Sequence, residues 1–574
     1  MWRLDCETLH NHGSGAPSIV HRIPRAVLPL LVLLAAIARP ASAQIAMPTG
    51  VALSPFAVQQ SPLTAFAFTD GVGGAWAVFQ GAGTNNGLWV NHINTDGSYG
   101  PRFNAAARTF ALPNTSVNNV SCAPDGIGGA VICWFGASPR NPASPFIALR
   151  YLHVSYEGTI DTPDTGVVVS SIATAATCIG DGVGGGYVAF EELRTTSNPD
   201  IVAQRYNSAG VPQWTPINSA TGRNLCPVVG LQRIRAIQDD GAGGVYVVWS
   251  DSRTTGTTPL YTTRVLPNGT LPWTSTGVRI TPVSSGVRIV GSARSSSNGL
   301  WLVWRDVNSP TSILTQHVLD NGTLAWSALG NPVASVPSAP SRADVMSGPS
   351  GDLMITWGGT DVRGMRIDAS GNRVWGESAG RLLASPAGVI GNLRASPDGK
   401  GGQRLMWSYD NAGQNDMAIV TVDSTGTPVG GATAAGTVVE NDTVNEDAIG
   451  WVSSTSDDPM LVWLEAGVER ARKLGTGTTG VGPSTARGGV SLAAPWPNPS
   501  RGASLSLAFQ APAGEARLEV FDVTGRRMLV HTLASSGGAQ RITLPIGTAW
   551  APGLYTVRLN AAGITVMRLI VRTR

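Results

Sequence analysis

Three kinds of side chain recur at spacings that could do chemistry. An Asp opens the stretch Asp-Gly-x-Gly-Gly at Asp70, Asp125, Asp181, Asp240 and Asp398. A second position, five residues before a Gly, holds His92, His153, Arg205, Arg264, His317 and Arg366, with Thr421 in its place once. A third set, Glu191, Asp251, Asp306 and Glu465, follows runs of apolar residues. An imidazole beside a carboxylate can move a proton. Two carboxylates flanking one bond can cleave a glycoside. Carboxylates among carbonyls can hold calcium, which takes about 6–8 oxygen ligands. All three readings meet the same obstacle, because a general base or a carboxylate pair is needed once and these residues come back repeatedly. No turn has the dense Asp/Asn spacing of a calcium loop, and there is no G-x-S-x-G elbow, phosphate-binding loop, HExxH or CxxC. The expectation is scaffold: the cations pair with the acids of the third set at about 0–1 kcal/mol per exposed pair. No catalytic, cofactor-binding or metal-binding residue is assigned.

The elements that carry these residues form a repeat. In TDGVGGAWAVF (69–79), PDGIGGAVICW (124–134), GDGVGGGYVAF (180–190), DDGAGGVYVVW (239–249) and PDGKGGQRLMW (397–407), an aromatic lies nine residues after the motif Asp. A second turn alternates with the first, as in RYNSAG (205–210), RVLPNG (264–269) and HVLDNG (317–322), and Trp214, Trp273, Trp326 and Trp375 stand four residues after its Gly. One unit of roughly 50–60 residues thus holds two turns flanked by apolar alternation, the pattern of four antiparallel strands repeated radially in a β-propeller. Residues 231–283 show the strands most clearly: LQRIRAIQ (231–238), VYVVWSD (245–251), PLYTTRVLP (259–267) and TGVRITPV (276–283). The second-strand aromatics, Phe79, Trp134, Phe190, Trp249, Trp304, Trp357, Trp407 and Trp463, count eight units. With the apolar residue two before each, they share a face expected to pack on the neighbouring unit. The eighth unit lacks a fourth strand, and TGVALSP (49–55), which matches TGVRITP (276–282), is expected to supply it and close the ring.

Composition agrees with short strands and many turns. The 574 residues are 42% hydrophobic and 13% charged, with Gly 70 and Pro 38. Of 40 basic and 37 acidic residues, positions 1–43 hold four Arg and two acids, which leaves 36 against 35. That balance points to neither nucleic acid nor an anionic membrane as partner. Residues 1–43 read as a signal peptide: HRIPR (21–25), the apolar AVLPLLVLLAAIA (26–38), then Ala41-Ser42-Ala43 before Gln44. The polar leader is long enough that translation starting near Val20 is an expectation, which places Cys6 outside the protein. Later apolar runs fall short of the about 18 residues of a transmembrane helix. The exported chain keeps Cys122, Cys133, Cys178 and Cys226 as disulfide candidates. Four cysteines allow three connectivities; Cys122 and Cys133 flank one turn, which favours that cross-strand pair.

After Leu474 the chain becomes GTGTTGVGPSTARGG (475–489), a flexible linker, and residues 490–574 again alternate as strands of a small β-sandwich. PWPNPS (495–500), LEVFDVTGRRM (518–528) and APGLYTVRLNAAG (551–563) resemble the type IX secretion C-terminal sorting domain, and also bacterial Ig-like modules of the flagellar hook-cap type. The resemblance implies export through the outer membrane by the type IX machinery, with the tail removed or exchanged for a surface anchor. The repeats resemble those of large propeller proteins that carry such tails, which implies no activity. VLPNGTLPW (265–273) and its equivalents look like the tryptophan-docking repeat of quinoprotein-type propellers, without that family's Thr-Gly-Lys, so no cofactor is carried over.

The expectation is therefore an all-β chain: signal peptide 1–43, an eight-bladed β-propeller over 44–474 closed by an N-terminal strand, linker 475–489, and a C-terminal Ig-like sandwich over 490–574. Its expected role is binding of a glycan or a protein ligand at the cell surface. The alternative is a polysaccharide-active hydrolase or lyase with its site on one propeller face.

Overall fold

The computed structural model describes most residues between 51 and 572. Outside the description lie 1–50, 56–64, 82–86, 110–116, 138–146, 336–341, 430–435, 441–445, 453–459, 474–490, 493–503 and shorter loop stretches. Every described residue belongs to one compact unit, Ile45–Arg574. The leader, the linker and the Pro-Asn-Pro stretch thus fall outside the described residues.

The described chain is all-β, in a propeller-like arrangement of antiparallel four-stranded sheets. Between Val51 and Lys473 there are eight such sheets, numbered here in chain order by first strand: Ala65–Thr69, Val117–Pro124, Ala173–Gly180, Gln232–Asp239, Val287–Arg294, Arg342–Ser347, Ile390–Pro397 and Glu446–Val452. Sheet four shows the pattern, with Gln232–Asp239, Val245–Asp251, Leu260–Val265 and Val278–Arg279 in sequential order. The fourth strand is shorter than its alternation predicts. It runs along the outer edge, where only one neighbour supplies a hydrogen-bond ladder, and Pro282 follows shortly after.

Sheets pack face to face because every second strand is apolar on both faces. All eight second-strand aromatics are buried, Trp249, Trp407 and Trp463 completely. Each is worth about 1.5–3 kcal/mol by area. The face they share with the residue two before packs on the preceding sheet: Val247 and Trp249 cluster with Tyr187 and Ala189 of sheet three. The other face of sheet four, Tyr246 and Val248, meets Leu302 and Trp304 of sheet five. The same exchange continues around the set, and Met460 and Val462 of sheet eight cluster with Ala75 and Ala77 of sheet one. First strands contact the first strands of the sheets before and after, including one with eight. The N-terminal strand Val51–Ala52 pairs with Val468–Lys473 as the fourth strand of sheet eight, Val51 opposite Ala471. Leu53 N and Ser54 Oγ extend the pairing to Glu469.

The C-terminal described residues form two further sheets, one three-stranded (Ser491–Leu492, Ser504–Ala511, Gly538–Pro545) and one four-stranded over Gly514–Arg572. Leu505, Leu507 and Phe509 of the first share one core with Leu518, Val520 and Val557 of the second. Asp522 accepts from Arg526 N at 3.0 Å, so the Asp-x-x-Gly-Arg stretch closes a turn. Glu519 anchors the four-stranded sheet; hydrogen bonds from Arg558, helped by Arg517 and Arg527, hold its carboxyl below the ordinary range.

Candidate functional site

The two ends of the sheets differ in kind. At the turn end, where first strands finish, the Asp-Gly-x-Gly-Gly motif is explained position by position in sheet four. Asp240 Oδ1 accepts from Ala242 N and Gly244 N, each at 2.7 Å. Gly241 (φ 69°) and Gly243 (φ 90°) lie in the left-handed region. The last glycine has no room for a side chain, since a Cβ on Gly244 would sit 2.4 Å from Val265 O. The free oxygen, Asp240 Oδ2, takes Arg264 at 2.8 Å.

This pairing corrects the expectation that the repeated cations meet the acids ending second strands. They meet the motif Asp instead: His92 with Asp70 at 3.0 Å, His153 with Asp125 at 2.9 Å and Arg205 with Asp181 at 2.9 Å; in sheet six, which lacks the motif, Arg366 meets Asp352 of the same turn end at 2.6 Å. Both groups stand at the turn end, whereas the acids of the third set stand one strand length away. In sheet five, Ser295 replaces the Asp, and its Oγ meets His317 Nε2 at 3.0 Å. Burial keeps the His317 imidazole below its ordinary pKa, and the ring stacks on Trp301. The indoles dock the turns to one another. Trp214 Nε1 donates to Pro267 O, Trp273 Nε1 to Asp320 O and Trp375 Nε1 to Ser424 O, each at 2.9–3.0 Å, from one sheet to the next. A Cβ on Gly269 would strike the Trp214 ring at 2.9 Å.

At the loop end, where first strands begin, the partners of the charged residues differ from sheet to sheet. Glu191 takes Arg233 Nη1 at 2.6 Å and, through its other oxygen, the backbone N–H of Ile234 in the next sheet. Asp344 caps Ala395 N of the following sheet in the same way. A first strand leaves one ladder edge facing inwards, and these acids satisfy part of it. Glu192 is buried and accepts from Ser219 and Thr221. Asp251 is buried too; burial raises its pKa, but bonds from Arg253 and Trp249 outweigh this and hold it low. Glu465 pairs with Arg470 at 2.9 Å.

Arg288 and Arg305 are directly opposite each other in sheet five. Arg288 is exposed, and the Nη1 of Arg305 is buried without a hydrogen-bond partner among the described residues. Neither belongs to the repeated Asp, cation or second-strand acid positions, so those patterns gave no sign of them. The usable signal was local: from Pro282 to Ala343 there are four Arg and only two acids, Asp306 and Asp320.

The four candidate thiols are free. Cys122 stands opposite Ile132 and Cys133 opposite Ser121, so the two side chains leave the sheet on opposite faces. The Cys122–Cys133 bond expected across the turn is therefore excluded by register. Cys133 instead shares one apolar cluster with Cys178 of sheet three, and the neighbouring Cys178 thiol, with burial, lifts the Cys133 thiol well above its usual range. Cys226 stands apart against Asp251 and Arg253, its pKa pushed up to about 12 by burial. A thiol so hard to ionise is a poor nucleophile. Among the described residues no cluster of three or more His, Cys, Asp or Glu could hold a metal ion, and no helix is long and apolar enough to cross a membrane.

No protein-family model matches the chain, and no curated protein matches it. Among solved structures, puromycin hydrolase is similar at TM-score 0.37 and 13% identity, over 82% of this chain and 60% of that one. The chain thus spans about three fifths of that enzyme's length. A polysaccharide lyase of the PL25 ulvan lyase family aligns at TM-score 0.34 and 10% identity, over 74% of this chain and 94% of that one. PorZ, a surface component of the type IX secretion system of Porphyromonas gingivalis, aligns at TM-score 0.22 and 11% identity, over 91% of this chain and all of that one. Likenesses of this size assign the chain no activity.

Proposed function

We propose that this chain is a secreted, cell-surface eight-bladed β-propeller that binds a glycan or protein ligand at its loop end. The observation that carries the reading is that the carboxylates named at both ends are taken up by structural partners. Motif carboxylates at the turn end are taken up by backbone N–H groups and cations. At the loop end Glu191, Glu192, Asp251 and Asp344 are likewise held by structural partners. Hydrolysis would need carboxylates free to exchange protons with substrate, whereas binding needs shape and donors, which loops at a rim supply. In this reading 44–474 is the propeller, 475–489 the linker and 490–574 an Ig-like sorting module recognised by the type IX machinery.

The test uses the full mature chain on a glycan array, with the same saccharides afterwards examined for shortened products. Retention of a saccharide without shortening supports binding; product formation replaces it with the polysaccharide-active alternative. A second arm deletes 490–574 in a host with type IX machinery. The truncated protein is expected folded and trapped in the periplasm, and its appearance at the surface at wild-type level would remove the sorting role.

A further inference from the structure

Arg288 and Arg305 lie on adjacent strands of sheet five in direct register, so both side chains leave the sheet on the same face. Trp301 and Val303, which alternate onto that face with Arg305, pack against sheet six. The pair therefore sits at the loop end of the cleft between sheets five and six. Like charges directly opposite each other destabilise a sheet, and a buried guanidinium N–H with no acceptor adds to the cost. Asp306 is next in sequence, but alternation sends it to the other face, opposite Val287, which packs towards sheet four. Asp320, the other acid between Pro282 and Ala343, is at the turn end. Five other arginines of the sheets contrast with this pair: Arg205, Arg264, Arg366, Arg233 and Arg253 each have a carboxylate within 3 Å.

We infer that Arg288 and Arg305 form an oxyanion-binding site that takes the carboxylate or sulfate group of an acidic saccharide. The planar fork of a guanidinium matches the paired oxygens of such a group, and a bound anion turns the repulsive pair into an attractive one. The near-neutral balance of the rest of the chain favours recognition of one localised anion over tracking of a phosphate backbone. This deepens the binding reading above and rests on its saccharide form.

The test is thermal shift and calorimetry on the full mature chain with oligogalacturonate, a sulfated oligosaccharide, a neutral oligosaccharide and free sulfate. An acidic oligosaccharide is expected to raise the melting temperature, and Arg305→Gln or Arg288→Gln to weaken its binding about tenfold or more. Neither substitution is expected to lower the melting temperature without ligand, because each removes an unneutralised charge; a fall would mark the arginines as scaffold and overturn the site. Acidic saccharide binding unaffected by both substitutions would also overturn it, with glycan binding left standing. Free sulfate bound through the two arginines as tightly as any saccharide would keep the oxyanion site and overturn the saccharide assignment.

Discussion

The turn end and the loop end of the sheets are built from the same residue types to opposite effect. At the turn end, charge is repeated and neutralised locally. Asp240 and Arg264, or Asp125 and His153, pair within their own sheet. At the loop end, charge is irregular, and the Arg288–Arg305 pair has no carboxylate partner among the described residues. Repetition marks what every sheet needs in order to stand beside the next. Function belongs where the repeat lapses.

The sharpest way to break this comparison is to empty one turn. Asp240→Ala leaves a largely buried guanidinium and two backbone N–H groups without their acceptor, and should cost about 3–5 kcal/mol. Denaturant unfolding of the full chain measures it. A loss below about 1 kcal/mol would mean the turn end is no scaffold. Damage should stay local, since each sheet leans chiefly on its neighbours.

A smaller effect is expected at the seam. Glu469 is fully buried beside the N-terminal strand, neither oxygen has a hydrogen-bond partner among the described residues, and burial lifts its pKa well above the carboxylate range. A raised folded-state pKa contributes stability that is complete below the unfolded value and is lost as pH rises towards the folded one. Stability should therefore fall with pH from the ordinary carboxylate range upwards, at a limiting slope of about 1.4 kcal/mol per pH unit for one proton. Glu469→Gln should flatten that part of the profile. An unchanged slope would show that the seam carboxyl is solvated.

The smallest effect is at the loop end. Arg233 pairs with Glu191, but its side chain is nearly half exposed. Arg233→Ala should cost only about 0–1 kcal/mol. A loss as large as that of Asp240→Ala would abolish the distinction between the ends.

Much of the scaffold was legible in the residues. The Asp, the two positive-φ glycines and the aromatic nine positions on are local requirements, and strand alternation places Val247 and Trp249 on one face whatever lies beyond it. The match of TGVALSP to the fourth strands also pointed to the seam, where Val51 does pair with Ala471. Pairings across space were less legible. The repeated cations were expected to meet the acids that end second strands, yet they stand at the other end of the strands, beside the motif Asp. Cys122 and Cys133 flank a turn in sequence, but register turns them to opposite faces and brings Cys133 to Cys178.

Short-range rules of backbone sterics and alternation act within about ten residues, and those the sequence by itself determined: turn chemistry, strand order and which residues must be buried. Which buried charge finds a partner depends on residues 20 to 60 positions away, on the register between strands and on the sheet that happens to stand alongside. Arg233 pairs with Glu191 and Arg288 stands opposite Arg305, although both open the first strand of their sheet in the same pattern. That difference exists only once the sheets are packed, because charge is neutralised by proximity in space and sequence spacing does not encode it.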